Sequence, residues 1–218
     1  MKTQEQLSRF AVSYPHGGAY LATSMVGQYI IEKYGVTGKN SVEAAFCGSE
    51  YGFHPLVPTY LHYGEGDSAN DIHTVRKLEP HQKMLIVRDP SDCLAAVYLE
   101  HKEKHPNLTA DDFLSGKYAG ARTAFWFNHN VHGIDFCEVI PYENMVEYPE
   151  TWVTRLIHRC IGELNDDGVD LAVVDVIINK SNIKDFRESR PTEYNDSVGI
   201  SRVVFNTSQL EYIQEKLI

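Results

Sequence analysis

Short apolar runs alternate along the chain with longer stretches in which apolar residues recur at helical spacing. Turn or breaker residues bound each of the short runs, as expected of buried strands: Phe10–Ser13, Val57–Leu61, Lys83–Val87 and Phe136–Pro141. The longer stretches predict helices: Tyr20–Tyr34, Ser91–Lys104, Ala110–Asn128, Pro149–Glu163, Ala172–Ile178 and Ser208–Leu217. Strands interleaved with helices pair in parallel through right-handed crossovers. The pattern therefore predicts a doubly wound α/β fold with a mainly parallel central sheet flanked by helices.

The organisation of the chain is simple, because it shows no internal repeat, low-complexity tract or clear linker. Its 218 residues suit one domain. The segment 184–201, "KDFRESRPTEYNDSVGIS", lacks any periodicity. Long irregular segments in compact domains are often functional lids or disordered. We therefore expect a single domain over residues 1–218 with a mobile lid at 184–201.

The composition indicates the cellular compartment of the protein and the classes of partner that it can bind. Apolar residues make up 43% of the chain, and no apolar run approaches the roughly 20 residues of a membrane span. The amino-terminal residues lack the apolar core of a signal peptide, and the cysteines show neither CxxC pairing nor metal-ligand spacing. These features predict a soluble cytoplasmic protein with reduced thiols and no membrane partner. The formal charge of −10 repels nucleic acid, so any anionic ligand needs a local cluster of donors.

The stretch "RFAVSYPHGGAY" (Arg9–Tyr20) has the order strand, glycine loop, helix. The amides at such a helix start lie at the positive end of the helix dipole and attract phosphate or sulfate. A nucleotide triphosphatase would need the pattern GxxxxGK[ST], whose lysine and hydroxyl are absent here. The pair His101 and His105 has metal-like spacing, but Pro106 follows and no carboxylate motif accompanies it, so we expect no metal.

Four segments, taken in order, resemble the cytosolic-type sulfotransferases. "SYPHGGAYL" (Ser13–Leu21) is similar to their phosphosulfate loop, and "MLIVRDPSDCLAAVY" (Met84–Tyr98) to the strand, Arg-[Asp/Asn]-Pro turn and helix that hold a 3′-phosphate. "VIPYENMVEYPETWVTRLIHRCIGEL" (Val139–Leu164) resembles the Tyr-Glu-Asp-Leu/Met segment, and "VVDVIINKSNIKDFRES" (Val173–Ser189) the Ser-Phe-x-x-Met-Arg region. The resemblance implies a P-loop-like sulfotransferase fold that uses 3′-phosphoadenosine 5′-phosphosulfate and releases adenosine 3′,5′-bisphosphate.

In the first loop the resemblance assigns the cofactor to the backbone of five residues: His16, Gly17, Gly18, Ala19 and Tyr20. The family's lysine falls on His16, its serine on Gly17 and its two threonines on Ala19 and Tyr20, so only Gly18 is retained. Histidine is only partly protonated near neutral pH, although a bound dianion favours its charged form. His16 is therefore either a weaker replacement for lysine or an exposed loop histidine.

The second motif assigns the 3′-phosphate to Arg88, whose planar guanidinium matches a phosphate well. The alternative is that Arg88 forms an ion pair that fixes its turn. The family's serine falls on Ala96, and its late Arg-Lys-Gly triplet falls on Tyr194–Asp196, just before Val198 and Gly199. The triplet's charges are therefore missing, and Arg187 and Arg190 are the first replacements to consider.

The family's catalytic histidine follows a strand between the first two motifs, and here His62 follows the apolar run that ends at Leu61. The resemblance implies that His62 removes the acceptor's proton, as a histidine can near neutral pH. His54 is the second candidate, and a purely structural histidine remains the alternative.

The resulting hypothesis is a sulfotransferase that moves a sulfuryl group to a hydroxyl or amine of a small-molecule acceptor. His62 acts as the base, and His16 stabilises charge on the leaving phosphate oxygen. The alternative is a degenerate member of the fold that no longer binds the cofactor and acts as a binding or assembly module, because several charged contacts are missing. The sequence also leaves a homo-oligomer open.

Overall fold

A computed structural model gives the structure of residues 10–14, 16–35, 59–61, 75–117, 121–122, 125, 131, 133–161, 168–181 and 198–217. The strands are β1 (Phe10–Ser13), β2 (Thr59–Leu61), β3 (Lys83–Val87) and β4 (Glu138–Pro141). The helices are α1 (Ala19–Tyr34), α2 (Pro90–Lys104), α3 (Ala110–Asp112), α4 (Glu143–Glu147), α5 (Pro149–Ile161), α6 (Leu171–Lys180), α7 (Ser201–Val204) and α8 (Thr207–Leu217). A short 3₁₀ turn, Pro80–Gln82, leads into β3.

The strands form one parallel sheet in the order β2-β1-β3-β4. In its register Ala11 lies opposite Tyr60 on one side and Met84 on the other, and Ile86 lies opposite Ile140. A parallel pairing needs a crossover between successive strands, and α1 and α2 lie in two of these connections. The predicted α/β class and its parallel sheet are confirmed.

Alternate residues of the strands face opposite sides of the sheet, as the two-residue period of a strand requires. Met84, Ile86 and Ile140 are buried in one cluster with side chains of α1 and α5. Val12 and Leu85 belong to another cluster with Cys93 of α2. Helices therefore cover both faces of the sheet, and a further cluster joins α2 to α7 and α8.

Most predicted elements appear within two or three residues of their expected bounds, but one helix was predicted wrongly. The predicted helix over residues 110–128 is interrupted by a kink within the segment 113–117, and residues 121, 122 and 125 are helical again. Gly116 in that segment has φ 77°, which is outside the right-handed helical region. The predicted strand 136–141 begins two residues later, at Glu138. Residues 57–58 and most of the predicted lid lie outside the described residues.

None of the helices in the described part of the chain is long and apolar enough to cross a membrane. Within the same residues, no group of three or more His, Cys, Asp or Glu side chains could hold a metal ion.

Candidate functional site

The order in which the chain adds strands to the sheet reverses at β1, because β2 and β3 lie on opposite sides of it. In open parallel sheets a crevice forms at such a point, beyond the carboxyl ends of the strands. The loop that follows β1 and the Arg88–Pro90 turn that follows β3 both begin at this edge. The two segments assigned to the cofactor by sequence therefore lie at the same edge of adjacent strands.

The loop after β1 is held by hydrogen bonds of its own. The Gly17 amide donates to the carbonyl oxygen of Tyr14 at 2.8 Å, and the Ala19 amide donates to Ser13 Oγ at 3.3 Å. The Ser13 hydroxyl in turn donates to the Tyr14 carbonyl oxygen at 2.8 Å. Two of the predicted anion-binding amides are thus already engaged within the loop. The amides of His16 and Gly18 donate no hydrogen bond to any described residue.

Close packing explains the two glycines of this loop. A Cβ atom on Gly17 would lie 2.9 Å from the Tyr14 nitrogen, too close for any side chain. Gly18 has φ 99°, and a Cβ atom there would lie 2.5 Å from Cδ2 of Tyr142. A serine at position 17, as in the sulfotransferase pattern, is therefore incompatible with this loop conformation.

Arg88 is buried beneath the loop, with 2% of its surface exposed. Its Nη1 donates to the carbonyl oxygen of His16 at 2.8 Å, and its guanidinium lies 4.9 Å from the centre of the Tyr142 ring. Stacking on an aromatic face and donation to a carbonyl are both favourable for a guanidinium. In this arrangement Arg88 ties the turn after β3 to the loop after β1.

The side chain of His16 contacts α2 rather than the loop. Its Nε2 lies 3.0 Å from Oε2 of Glu100, and Lys104 Nζ lies 2.8 Å from the other carboxylate oxygen. A carboxylate only accepts hydrogen bonds, so Nε2 carries the proton in this contact. The hydrogen bond from Lys104, followed by that from His16, lowers the pKa of Glu100, and partial burial opposes both. His16 itself has φ 57°, an unusual value for a residue with a side chain.

Asp92 joins the first turn of α2 to a segment more than a hundred residues later in the chain. Its two carboxylate oxygens accept hydrogen bonds from the amides of Gly199, at 2.6 Å, and Ser201, at 2.9 Å. Asp92 is 2% exposed. These contacts close one side of a cleft of about 510 Å³ beside the Arg88–Pro90 turn. Its lining comprises Val87, Arg88, Asp89, Asp92, Glu143, Val198, Gly199, Ser201 and Arg202.

The carboxylates of this cleft are hydrogen-bonded to its backbone. Asp89 caps α2 by accepting from the amide of Ser91 at 2.8 Å, and Glu143 accepts from the amide of Asp89 at 2.7 Å. The lining includes three carboxylates and two arginines, so its formal charge is −1. Burial raises the pKa of the adjacent Cys93 thiol to about 12, against the opposing effect of Arg88 and with a smaller contribution from the carboxylates of the cleft, and the thiol stays neutral.

No protein-family model matches the chain, and no curated protein matches its sequence. The sulfotransferase resemblance consequently depends on the quoted motifs and on where their residues lie.

The predicted site residues divide into those brought together and those outside the described chain. The loop 16–20 and Arg88 lie together, although the side chain of Tyr20 is not described. His62, His54, Arg187, Arg190 and Tyr194–Asp196 lie outside the described residues. Their roles, and the roles assigned to the loop and Arg88, stay predictions.

Sequence reasoning missed two acidic residues that organise the site. It considered Asp92 only as a partner for Arg88, whereas Asp92 binds the amides of Gly199 and Ser201. It did not consider Glu100, which follows Ala96 by one helical turn and so lies on the same face of α2. Its place on α2 was a usable signal, because the helix begins directly after the Arg88–Pro90 turn.

Proposed function

We propose that the chain is a sulfotransferase that takes 3′-phosphoadenosine 5′-phosphosulfate as its donor substrate. The observation that carries the proposal is the link between Asp92 and the amides of Gly199 and Ser201. The Arg-Asp-Pro turn and the Val198–Gly199 pair were assigned to one phosphate subsite from motifs far apart in the sequence. They line one cleft. That convergence is what a nucleotide site at this edge of the sheet requires.

In the proposed arrangement the loop 16–20 and the start of α1 hold the 5′-phosphosulfate, with the amides of His16 and Gly18 as available donors. The cleft holds the 3′-phosphate. The acceptor oxygen or nitrogen forms a bond to sulfur while the bond from sulfur to the 5′-phosphate oxygen breaks, and that oxygen keeps the electron pair. His62 takes the proton of the acceptor. His16 releases its hydrogen bond to Glu100, turns towards the loop and stabilises the charge on the departing phosphate.

Calorimetric titration of the purified protein tests the proposal directly. The ligands are adenosine 3′,5′-bisphosphate, AMP and ATP, each titrated at several pH values. We expect micromolar binding that is selective for the bisphosphate and stronger at low pH, because protonated His16 attracts the anion. If none of the three nucleotides binds, the proposal is wrong.

The role of His62 has a separate test. Replacement by alanine removes the base without removing a phosphate contact, so His62→Ala should abolish turnover and leave the affinity for the bisphosphate nearly unchanged. Turnover is followed as sulfate transfer from the labelled donor to a panel of phenols, alcohols and amines. Undiminished turnover by the variant would exclude His62 as the base and direct attention to His54.

The second candidate is a binding or assembly module that has kept the fold and lost the nucleotide. The observation in its favour is the internal use of the site: two loop amides, Arg88 and the α2 amino terminus all have partners within the chain. The net negative charge of the cleft points the same way. The titration separates the candidates, since such a module binds none of the three nucleotides.

A further inference from the structure

A solvent-exposed arginine, Arg202, stands in the wall of the cleft opposite the Arg88–Pro90 turn. It is the second residue of α7 and lies three residues beyond the Val198–Gly199 pair. Among the residues that the structure describes, no carboxylate forms an ion pair with it. Its charge is therefore available to a ligand that enters the cleft.

The backbone that carries Arg202 is fixed on both sides. The amide of Ser201 donates to Asp92 Oδ1 at 2.9 Å, and the amide of Arg202 itself donates to the carbonyl oxygen of Gly199 at 3.2 Å. Gly199, with φ 78°, makes the turn that brings its own amide to within 2.6 Å of the same carboxylate. Asp92 thus positions the start of α7, and with it Arg202, against the turn after β3.

The other charged groups of the cleft are committed to its framework. Arg88 is buried and donates to the His16 carbonyl oxygen, while Asp89 and Glu143 accept hydrogen bonds from backbone amides. Without Arg202 the lining would hold one cation against three carboxylates. A phosphate monoester carries close to two negative charges at neutral pH. Its entry therefore depends on the exposed guanidinium.

We infer that Arg202 is the residue that binds the 3′-phosphate of the nucleotide, in place of the basic residues that are missing at positions 194–196. A guanidinium offers paired N–H donors that match two oxygens of a phosphate. This inference rests on the proposed function, because it assigns a residue to the same nucleotide site. It differs from the sequence prediction, which gave the 3′-phosphate to Arg88 and named Arg187 and Arg190 as the first replacements for the missing basic residues.

The test compares adenosine 3′,5′-bisphosphate with AMP, which lacks only the 3′-phosphate. Arg202→Gln should weaken binding of the bisphosphate by at least about tenfold, the lower end expected for a lost charge-assisted hydrogen bond. AMP affinity should change by less than about twofold. Arg202→Lys should restore part of the lost affinity, since it keeps the charge but not the paired donors. Arg122→Gln is the matched control, because Arg122 is also exposed and lies outside the cleft.

A further readout distinguishes charge from general structure. The bisphosphate affinity of the unaltered protein should fall more steeply with added salt than that of Arg202→Gln, because one ionic contact has been removed. Each variant is checked by thermal unfolding, which should be unchanged for an exposed side chain.

The outcomes separate the inference from the proposed function. If the unaltered protein binds no nucleotide, the assignment of Arg202 and the proposed function are both overturned. If it binds the bisphosphate and Arg202→Gln binds equally well, the proposed function stands and the assignment of Arg202 is overturned. Equal loss of AMP and bisphosphate would also overturn the assignment, because it would mean that Arg202 supports the site without contacting the 3′-phosphate.

Discussion

At the scale of single residues, the loop after β1 depends on a ring that fills the space beside it. Tyr142 is 1% exposed, its ring lies under the Arg88 guanidinium, and Gly18 approaches it more closely than any residue with a side chain could. The ring has no free space into which it could move, because protein interiors are close-packed. The glycine, the ring and the guanidinium therefore act as one packed unit.

Gly18→Ala should destabilise the protein by about 2–5 kcal/mol. Alanine at φ 99° is strained by about 1–2 kcal/mol, and its Cβ atom would meet the Tyr142 ring at 2.5 Å, which adds an overpacking cost of about 1–3 kcal/mol. Gly35→Ala is the control, because Gly35 has φ 62° but no atom within 4 Å of the added carbon. Urea unfolding measures both variants, and equal losses of stability would contradict the packing explanation.

Arg88→Ala should weaken the binding of AMP and that of adenosine 3′,5′-bisphosphate to similar extents. The substitution removes the hydrogen bond to the His16 carbonyl oxygen and the stacking of the guanidinium on the Tyr142 ring, so the loop loses a contact that holds it in place. The free energy of unfolding of the variant should also be lower than that of the unaltered protein, by about 2–4 kcal/mol for a buried side chain of this size. Calorimetry with the two nucleotides gives the comparison. Selective loss of the bisphosphate would instead support the direct phosphate contact predicted from sequence.

Much of this site was visible in the sequence, but its internal contacts were not. The glycine loop, Arg88 and the Tyr142–Glu143 pair were found because each follows a recognisable strand. The partners of Arg88 and Asp92 were not found, because they lie 72 and more than 100 residues away and no local pattern encodes such pairings. A buried arginine and an exposed phosphate-binding arginine also look alike in sequence, since burial depends on the tertiary fold.

At the scale of elements, an ionic clamp joins the first residue of β4 to α5. Glu138 accepts from Nε of Arg155 at 2.9 Å and also forms an ion pair with Arg159, one helical turn later. Burial of Glu138 alone would raise its pKa, but the hydrogen bonds from Arg159 and Arg155 outweigh burial and lower it. The clamp holds α5 along β4 at an edge of the described sheet.

Glu138→Gln should cost about 1–2 kcal/mol at pH 7, because charge-assisted hydrogen bonds are lost and both arginines are partly exposed. The pKa of Glu138 in the folded state is below its ordinary value of 4.5, so the stabilisation is present above about that pH. It is lost as the pH falls through the folded-state pKa. Urea unfolding from pH 7 to pH 3 should therefore show the variant and the unaltered protein converging at low pH.

The exposed residue Glu211 on α8 provides a matched control for this series. Glu211→Gln should change the stability by less than about 0.5 kcal/mol at every pH, as is usual for surface substitutions. If Glu138→Gln differs from the unaltered protein by the same amount at pH 3 and pH 7, the clamp does not act through the charge of Glu138.

Hydrophobic periodicity located the elements well because it reports which positions are buried. The bounds of β1 and β3 match the prediction, since each is a short apolar run between breaking residues. The helix predicted at 110–128 failed for a local reason: an isolated glycine within a helical pattern leaves open whether it continues the helix or ends it. Here Gly116 adopts φ 77° and kinks the backbone, and residues 121, 122 and 125 beyond it are helical again.

At the scale of the whole molecule, the rates at which the cysteine thiols react measure how the core becomes exposed to solvent. Cys93 and Cys160 are fully buried, whereas Cys137 is partly exposed. In a Cys47→Ser background, the reagent 5,5′-dithiobis(2-nitrobenzoic acid) should label Cys137 first. Cys93 should react only as fast as the protein unfolds, because its burial raises its pKa to about 12 and the thiolate is the reactive form.

Peptide mass spectrometry after timed labelling assigns the modified positions. Urea below the unfolding midpoint should accelerate the labelling of Cys93 and Cys160 together, in proportion to the unfolded population. Labelling of Cys93 at the rate of Cys137 in native buffer would show that α2 separates from the sheet without global unfolding.

The hydrogen bond between Asp92 and Gly199 also determines the stage of synthesis at which the cleft can form. It joins positions 107 residues apart, whereas the crossover from β1 through α1 to β2 spans far fewer. A ribosome delivers the amino-terminal part of a chain first, and contacts of long sequence separation form slowly. The wall that contains Arg202 therefore assembles only after residues 199–202 have been synthesised. During synthesis the nascent protein therefore passes through a stage in which the residues of β1 to β4 have left the ribosome and those of the second wall have not.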